Sequence, residues 1–265
     1  MELPVNQIIC GDCLEVMRDW PDESVDCCVT SPPYWNLRDY GIAGQLGLEK
    51  TPEEYVAKMV EIFAEVRRVL KNEGTLWINL GDSYAGSRGT GGNPGDKQYT
   101  HPGSRSVRTR PDVPVSLKPK DLCGIPWRVA LALQADGWYL RQDIIWSKPN
   151  PMPESVRDRC TKAHEYIFLL TKKPRYYYDA DAIREPKKDP EGDIRRIEQA
   201  AKYKTNTGKN VARVDGWKLN LKHATQGRNK RSVFSCPTQF SKMRDDLSTG
   251  KKKILVAELL KRGII

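Results

Sequence analysis

The stretch from Val25 to Leu80 constrains the fold more than any other part of this sequence. Val25–Val29 is a short, largely apolar run, of the kind expected for a parallel strand buried on both faces. A helix is predicted over Pro52–Lys71. Thr51 and Glu54 form a capping box and Pro52 takes the first helical position. Tyr55, Val56, Met59, Ile62, Phe63, Val66, Val69 and Leu70 then recur at helical spacing on one face. After Gly74 the next strand is Thr75–Leu80. Strand, helix and strand in this order predict a right-handed crossover in a mostly parallel sheet, and hence an α/β fold.

The flanks are read with the same signals. Gln7–Cys10 is predicted as a short strand, with a turn at Gly11-Asp12 and a helix near Leu14–Trp20. Residues 81–118 are dense in Gly, Pro and Ser, with Arg105, Arg108 and Arg110 among them, and are predicted to form a long mobile loop. A helix follows at Leu122–Ala135, then strands at Trp138–Trp146 and Glu165–Thr171 around a proline-rich loop at 148–153. Trp127, Trp138 and Trp146 read as core residues. Between Asp181 and Gly227 no period persists, so this segment is expected to be an irregular basic lobe.

Composition narrows the class. A chain of 265 residues can bury one good core with a smaller appended lobe. No apolar run approaches a membrane span and the N-terminus lacks the pattern of a signal peptide, so a cytoplasmic location is expected. Seven cysteines at 10, 13, 27, 28, 123, 160 and 236 do not form a disulfide framework, and no second Cys or His pair closes a zinc site with Cys10 and Cys13. No metal is therefore expected. The net charge of +10 implies an anionic partner, and it is concentrated in 184–231, whereas the first 80 residues carry many acids.

Thr30-Ser31-Pro32-Pro33-Tyr34-Trp35 lies just beyond the carboxyl end of the first strand of the crossover, where ligands bind in open α/β sheets. Two successive prolines remove two amide donors and leave carbonyls free to face a substrate. Ser31 adds a hydroxyl and Tyr34 an aromatic face. The set suits a planar ring with a protruding amino group, stacked on Tyr34 and hydrogen-bonded to Ser31 and the Pro32 carbonyl. Accepting both amino hydrogens turns the nitrogen lone pair out of the ring plane, toward an incoming electrophile.

This run resembles the catalytic motif of amino-methylating DNA methyltransferases, in which Asp, Asn or Ser precedes Pro-Pro and an aromatic. The Ser form is most typical of cytosine-N4 enzymes, so cytosine is the expected target and adenine-N6 the alternative. The resemblance covers most of residues 5–239, including Gly11-Asp12-Cys13-Leu14, Lys148-Pro149-Asn150-Pro151 and Lys162-Ala163-His164-Glu165. It implies a Rossmann-like sheet, S-adenosylmethionine as cofactor, double-stranded DNA with a flipped base, and direct displacement at the sulfonium. It assigns Ser31, Pro32, Pro33 and Tyr34 to catalysis and Asp12, Cys13, Thr30 and Ser31 to the cofactor. In this reading Asp12 bonds the adenine, while a turn or helix cap remains the alternative for that residue. His164-Glu165 either orients groups in the site or makes a structural hydrogen bond at a strand start. Arg105, Arg108, Arg110, Arg195, Arg196, Arg228, Lys230 and Arg231 are the expected DNA contacts. A carbon-5 mechanism is set aside, because Cys236-Pro237 has the wrong order for its nucleophile.

The resemblance implies a permuted order, with residues 1–180 as catalytic domain, 181–239 as target-recognition lobe and 240–265 as a short basic tail. In that order a Phe-x-Gly-x-Gly turn should follow about residue 239, yet the stretch holds only Gly250 and Gly263. Gly89-Thr90-Gly91 lies in the irregular loop and is not a substitute. The sheet is therefore expected to be incomplete. Three expectations follow: a truncated methyltransferase, a cofactor half supplied by a second chain, or a non-catalytic DNA-binding remnant. A cognate restriction endonuclease is a further expected partner.

Overall fold

The computed structural model describes residues 3–86, 116–187, 189–205 and 227–236, without the side chains of 198–205. The chain divides into two units, one of Met1–Tyr177 with Val233–Gln239 and the other of Tyr178–Ser232 with Phe240–Ile265. The expected loop beyond residue 86, with Arg105, Arg108 and Arg110, and the tail 240–265 lie outside the described residues.

The first unit is an α/β sheet with helices. Its elements are α1 (Cys13–Arg18), β1 (Val25–Thr30), α2 (Pro52–Val69), β2 (Leu70–Leu80), α3 (Ile125–Ala135), β3 (Tyr139–Ser147), β4 (His164–Thr171) and β5 (Val233–Ser235). The strand order is β1-β2-β4-β3-β5. The crossover through α2 makes β1 and β2 parallel, as expected. The rest of the sheet is not mostly parallel: β4 runs antiparallel to both β2 and β3, while β5 is parallel to β3. β3 and β4 are joined by the proline-rich segment 148–163, which turns the chain back beside β3 in the opposite direction.

Helix α2 begins as predicted, with Thr51 Oγ1 accepting from the Glu54 amide at 3.1 Å. Its buried face carries Tyr55, Met59, Phe63, Val66 and Val69. Against it pack Leu76, Ile78 and Leu80 of β2, Ile125, Val129 and Leu133 of α3, and Phe168 and Leu170 of β4. Burial of each such side chain stabilises the fold by about 1.5–3 kcal/mol. The helix passes into β2 with no loop, and the register between β1 and β2 shifts between Val25 and Cys27 to absorb the join. Gly74 makes this possible, because a Cβ there would lie 2.8 Å from the Asp26 carbonyl oxygen and 2.7 Å from Leu70 Cγ.

Four local expectations are corrected. Gln7–Cys10 forms no strand and Ile8 is fully exposed, and the segment pairs with no strand among the described residues. β1 is not buried on both faces: it is an edge strand among the described residues, and Val29 is 54% exposed. α3 starts at Ile125 rather than Leu122, which instead bridges Tyr84. Trp138 is buried at 2%, but Trp127 is 37% exposed, in T-shaped contact with Tyr166 and Phe168.

In the second unit Pro190–Thr205 forms a helix, α4, within the segment expected to be irregular. Glu191 and Asp193 lie in its first turn, where acidic side chains complement the helix dipole. No helix among the described residues is long and apolar enough to cross a membrane.

Candidate active site

The strand directions gather the candidate residues at one end of the sheet. β1 and β2 are parallel, so Ser31 and Asn79 lie toward the same end. β4 is antiparallel to β2 and begins there, bringing Glu165 and Tyr166, while β3 ends there with Ser147 before Lys148.

Three hydrogen bonds hold the proline segment and the residues that follow it. Tyr55 OH, from the buried face of α2, donates to the Pro33 carbonyl at 2.9 Å. Trp35 is buried and its indole N–H donates to the Glu49 carbonyl at 3.0 Å. The Asn36 amide donates to the Gly47 carbonyl at 2.7 Å. Ser31 remains exposed, Pro32 and Pro33 are half-buried, and Tyr34 is half-buried with its hydroxyl turned inward.

That hydroxyl lies 2.8 Å from Asn79 Oδ1 and 3.1 Å from Glu165 Oε2. Burial and the nearby Glu165 charge push the Tyr34 phenol well above its ordinary pKa, so it stays protonated. Asn79 Nδ2 donates to the Tyr166 carbonyl at 3.1 Å, which fixes the amide with its oxygen toward Tyr34 and Ser31. Lys148 is ion-paired with Glu165, both side chains being less than a fifth exposed, and its ammonium also lies over the Trp146 ring. Burial pushes the neighbouring Lys162 below its ordinary pKa, with Asp82 and Glu165 opposing.

Asp82 completes this end of the sheet. Its carboxylate accepts from the Gly124 and Ile125 amides at 3.1 and 3.0 Å, capping α3 from a distant loop. Burial raises its pKa against those hydrogen bonds and the Lys162 charge.

Asp12 is the N-cap of α1, its Oδ1 accepting from Leu14 and Glu15 amides at 2.9 and 3.2 Å. Its other carboxylate oxygen is outside the cap, and both Asp12 and Cys13 are exposed. Thr30 is half-buried at the end of β1. In the second unit Glu185 collects Arg228 at 3.1 Å, Arg231 at 3.0 Å and Lys230 at 3.9 Å. Burial alone would raise the Glu185 pKa, but the Arg231 amide and guanidinium with Arg228 outweigh it and lower the value. Arg196 pairs with Asp193 at 3.6 Å, and Arg195 lies on α4.

Asn79, Lys148, Lys162 and Asp82 are not singled out as site residues by sequence reasoning, and Glu165 only as one of two possibilities. Asn79 lies within an apolar strand and Lys148 before a proline loop. The one available signal is a polar residue interrupting a buried strand.

Comparisons with known proteins agree on the family. The family described as DNA methylase matches residues 25–243. The type II methyltransferase M.SmaI of Serratia marcescens is 54% identical over 187 residues, covering 71% of this chain and 63% of that protein. M.Cfr9I of Citrobacter freundii is 56% identical over 181 residues, covering 67% and 58%. The chain thus spans about three-fifths of the length of these curated relatives. Among solved structures, the cytosine-N4-specific PvuII DNA methyltransferase is similar with a TM-score of 0.49 at 16% identity, covering 94% of this chain and 61% of that one. With most of its length matched and more than half of the aligned residues identical in such relatives, the chain belongs to the DNA methylase family.

Proposed function

We propose that this chain takes part in transfer of a methyl group from S-adenosylmethionine to the exocyclic amino nitrogen of a DNA base, with cytosine N4 as target. The observation that carries this is Ser31-Pro32-Pro33-Tyr34 at the carboxyl end of a parallel strand, with Ser31 exposed and Tyr34 anchored behind it. The Ser form of the motif favours cytosine over adenine.

In this reading the flipped base stacks on Tyr34 while Ser31 Oγ and the Pro32 carbonyl accept its amino hydrogens. The two prolines present no amide hydrogens that would compete for the nitrogen lone pair. Asp12 has an exposed carboxylate oxygen outside its helix cap and would hold the adenosine part of the cofactor beside Cys13, Thr30 and Ser31. The cofactor, when bound, supplies an electrophilic methyl group. Arg195, Arg196, Arg228, Lys230 and Arg231, with Arg105, Arg108 and Arg110 outside the described residues, would meet the DNA backbone. The relatives' designation as type II methyltransferases supports a restriction-modification setting, with a cognate endonuclease.

The test is incubation of the chain with DNA and methyl-labelled cofactor, followed by digestion to nucleosides. Label in 4-methylcytosine is expected. Label in 6-methyladenine would move the target to adenine, and absence of label with DNA binding retained would overturn the catalytic reading.

A further inference from the structure

We infer that Asn79 is a positioning residue that sets the direction of the Ser31 hydroxyl, turning its proton inward and its lone pairs toward the substrate. The inference rests on the amino-methylation reading above and concerns how that site tells an amino group from a carbonyl.

The geometry is a chain of acceptors behind two hydroxyls. Asn79 Nδ2 is committed to the Tyr166 carbonyl of the adjacent strand at 3.1 Å, so Oδ1 must face the site. An amide oxygen can only accept. It lies 2.8 Å from Tyr34 OH and 3.3 Å from Ser31 Oγ, and with two lone pairs it can serve both. The second neighbour of the phenol is Glu165 Oε2 at 3.1 Å, a carboxylate held by Lys148, and it too only accepts. The single phenol proton is therefore directed to Asn79 or Glu165 and is withheld from Ser31.

Among the described residues the polar neighbours of Ser31 Oγ are Asn79 Oδ1 and, at 3.4 Å, Tyr34 OH. Neither has a proton for it, so Ser31 donates inward. Its remaining lone pairs lie on the exposed side, beside a dipeptide with no N–H groups. The result is a surface that accepts and does not donate. An amino group of cytosine or adenine fits it, whereas the carbonyl of uracil or hypoxanthine at the same ring position meets only lone pairs.

The test compares the wild-type chain, Asn79→Leu, Ser31→Ala and the double variant. The probes are fluorescent single-stranded oligonucleotides in matched pairs: deoxycytidine against deoxyuridine, and deoxyadenosine against deoxyinosine. The phosphate contribution is common to each pair, so the affinity ratio isolates the amino-for-carbonyl exchange. Wild type is expected to prefer the amino member of one pair by roughly tenfold, the scale of a buried polar group left unpaired. Asn79→Leu should bring that ratio close to one, and the double variant should go no further than Ser31→Ala, because Asn79 acts through Ser31. A ratio unchanged in Asn79→Leu, equal weakening toward both members, or additive effects in the double variant would overturn the assignment. Wild type without preference in either pair would instead overturn the amino-methylation reading on which it rests.

Discussion

Gly81 approaches the Tyr34 ring so closely that a Cβ built there would lie 2.4 Å from Cε2. Gly81→Ala is therefore expected to push the ring off its hydroxyl partners. Overpacking of this kind costs about 1–3 kcal/mol, measurable by denaturant unfolding, and should also weaken binding of the target base. Lys162 offers a pH test. Burial lowers its pKa in the folded state below the ordinary 10.5, so charging it opposes folding. A folded-state pKa below the unfolded one gives stability that is full above 10.5 and lost as pH falls through the folded value. Relative to Lys162→Met, wild type should therefore gain stability as pH rises toward 10.5, and parallel stability curves for the two proteins would refute this. At this scale the sequence exposes Ser31 and Tyr34 through the proline pair beside them. It offers no comparable sign of Asn79 or Lys148, because the network they join is built from distant positions: Asn79 lies 45 residues from Tyr34, and Tyr34 lies 131 from Glu165.

Helix α2 is the element that does most to place the site. Its N-cap and apolar spacing are local properties, which is why its start is legible in the sequence. Its Tyr55 reaches from the core to the Pro33 carbonyl, coupling helix packing to the proline segment. Thr51→Ala removes the cap and is expected to cost about 1 kcal/mol, seen as a lower denaturation midpoint with an unchanged slope. The pairing partners of β4 are not legible in the same way. His164–Thr171 reads as a strand from its residues, but insertion between β2 and β3 depends on which strand edges remain free once the crossover forms. α4 illustrates a different limit: it is helical within a charged segment that is expected to be irregular.

For the whole molecule, the net charge of +10 leads us to expect that the proposed DNA binding depends strongly on salt. A protein neutralising six or more phosphates loses roughly a thousandfold in affinity between about 50 and 200 mM salt. Fluorescence anisotropy across that range should give a steep linear log–log slope, and a flat one would remove DNA from the proposal. Glu185 already draws in three of the basic residues expected at DNA, so part of this charge is internally paired. The α/β class, the parallel β1–α2–β2 unit and the candidate site segment Ser31–Tyr34 are legible in the sequence, because caps, apolar periods and a proline pair act over a few residues. The mixed strand order and the Asn79–Tyr34–Glu165–Lys148 network behind Ser31 come from tertiary structure alone. Those contacts join residues far apart in the chain, and they exist only once antiparallel β4 brings its first residues to the end of the sheet where β1 and β2 finish.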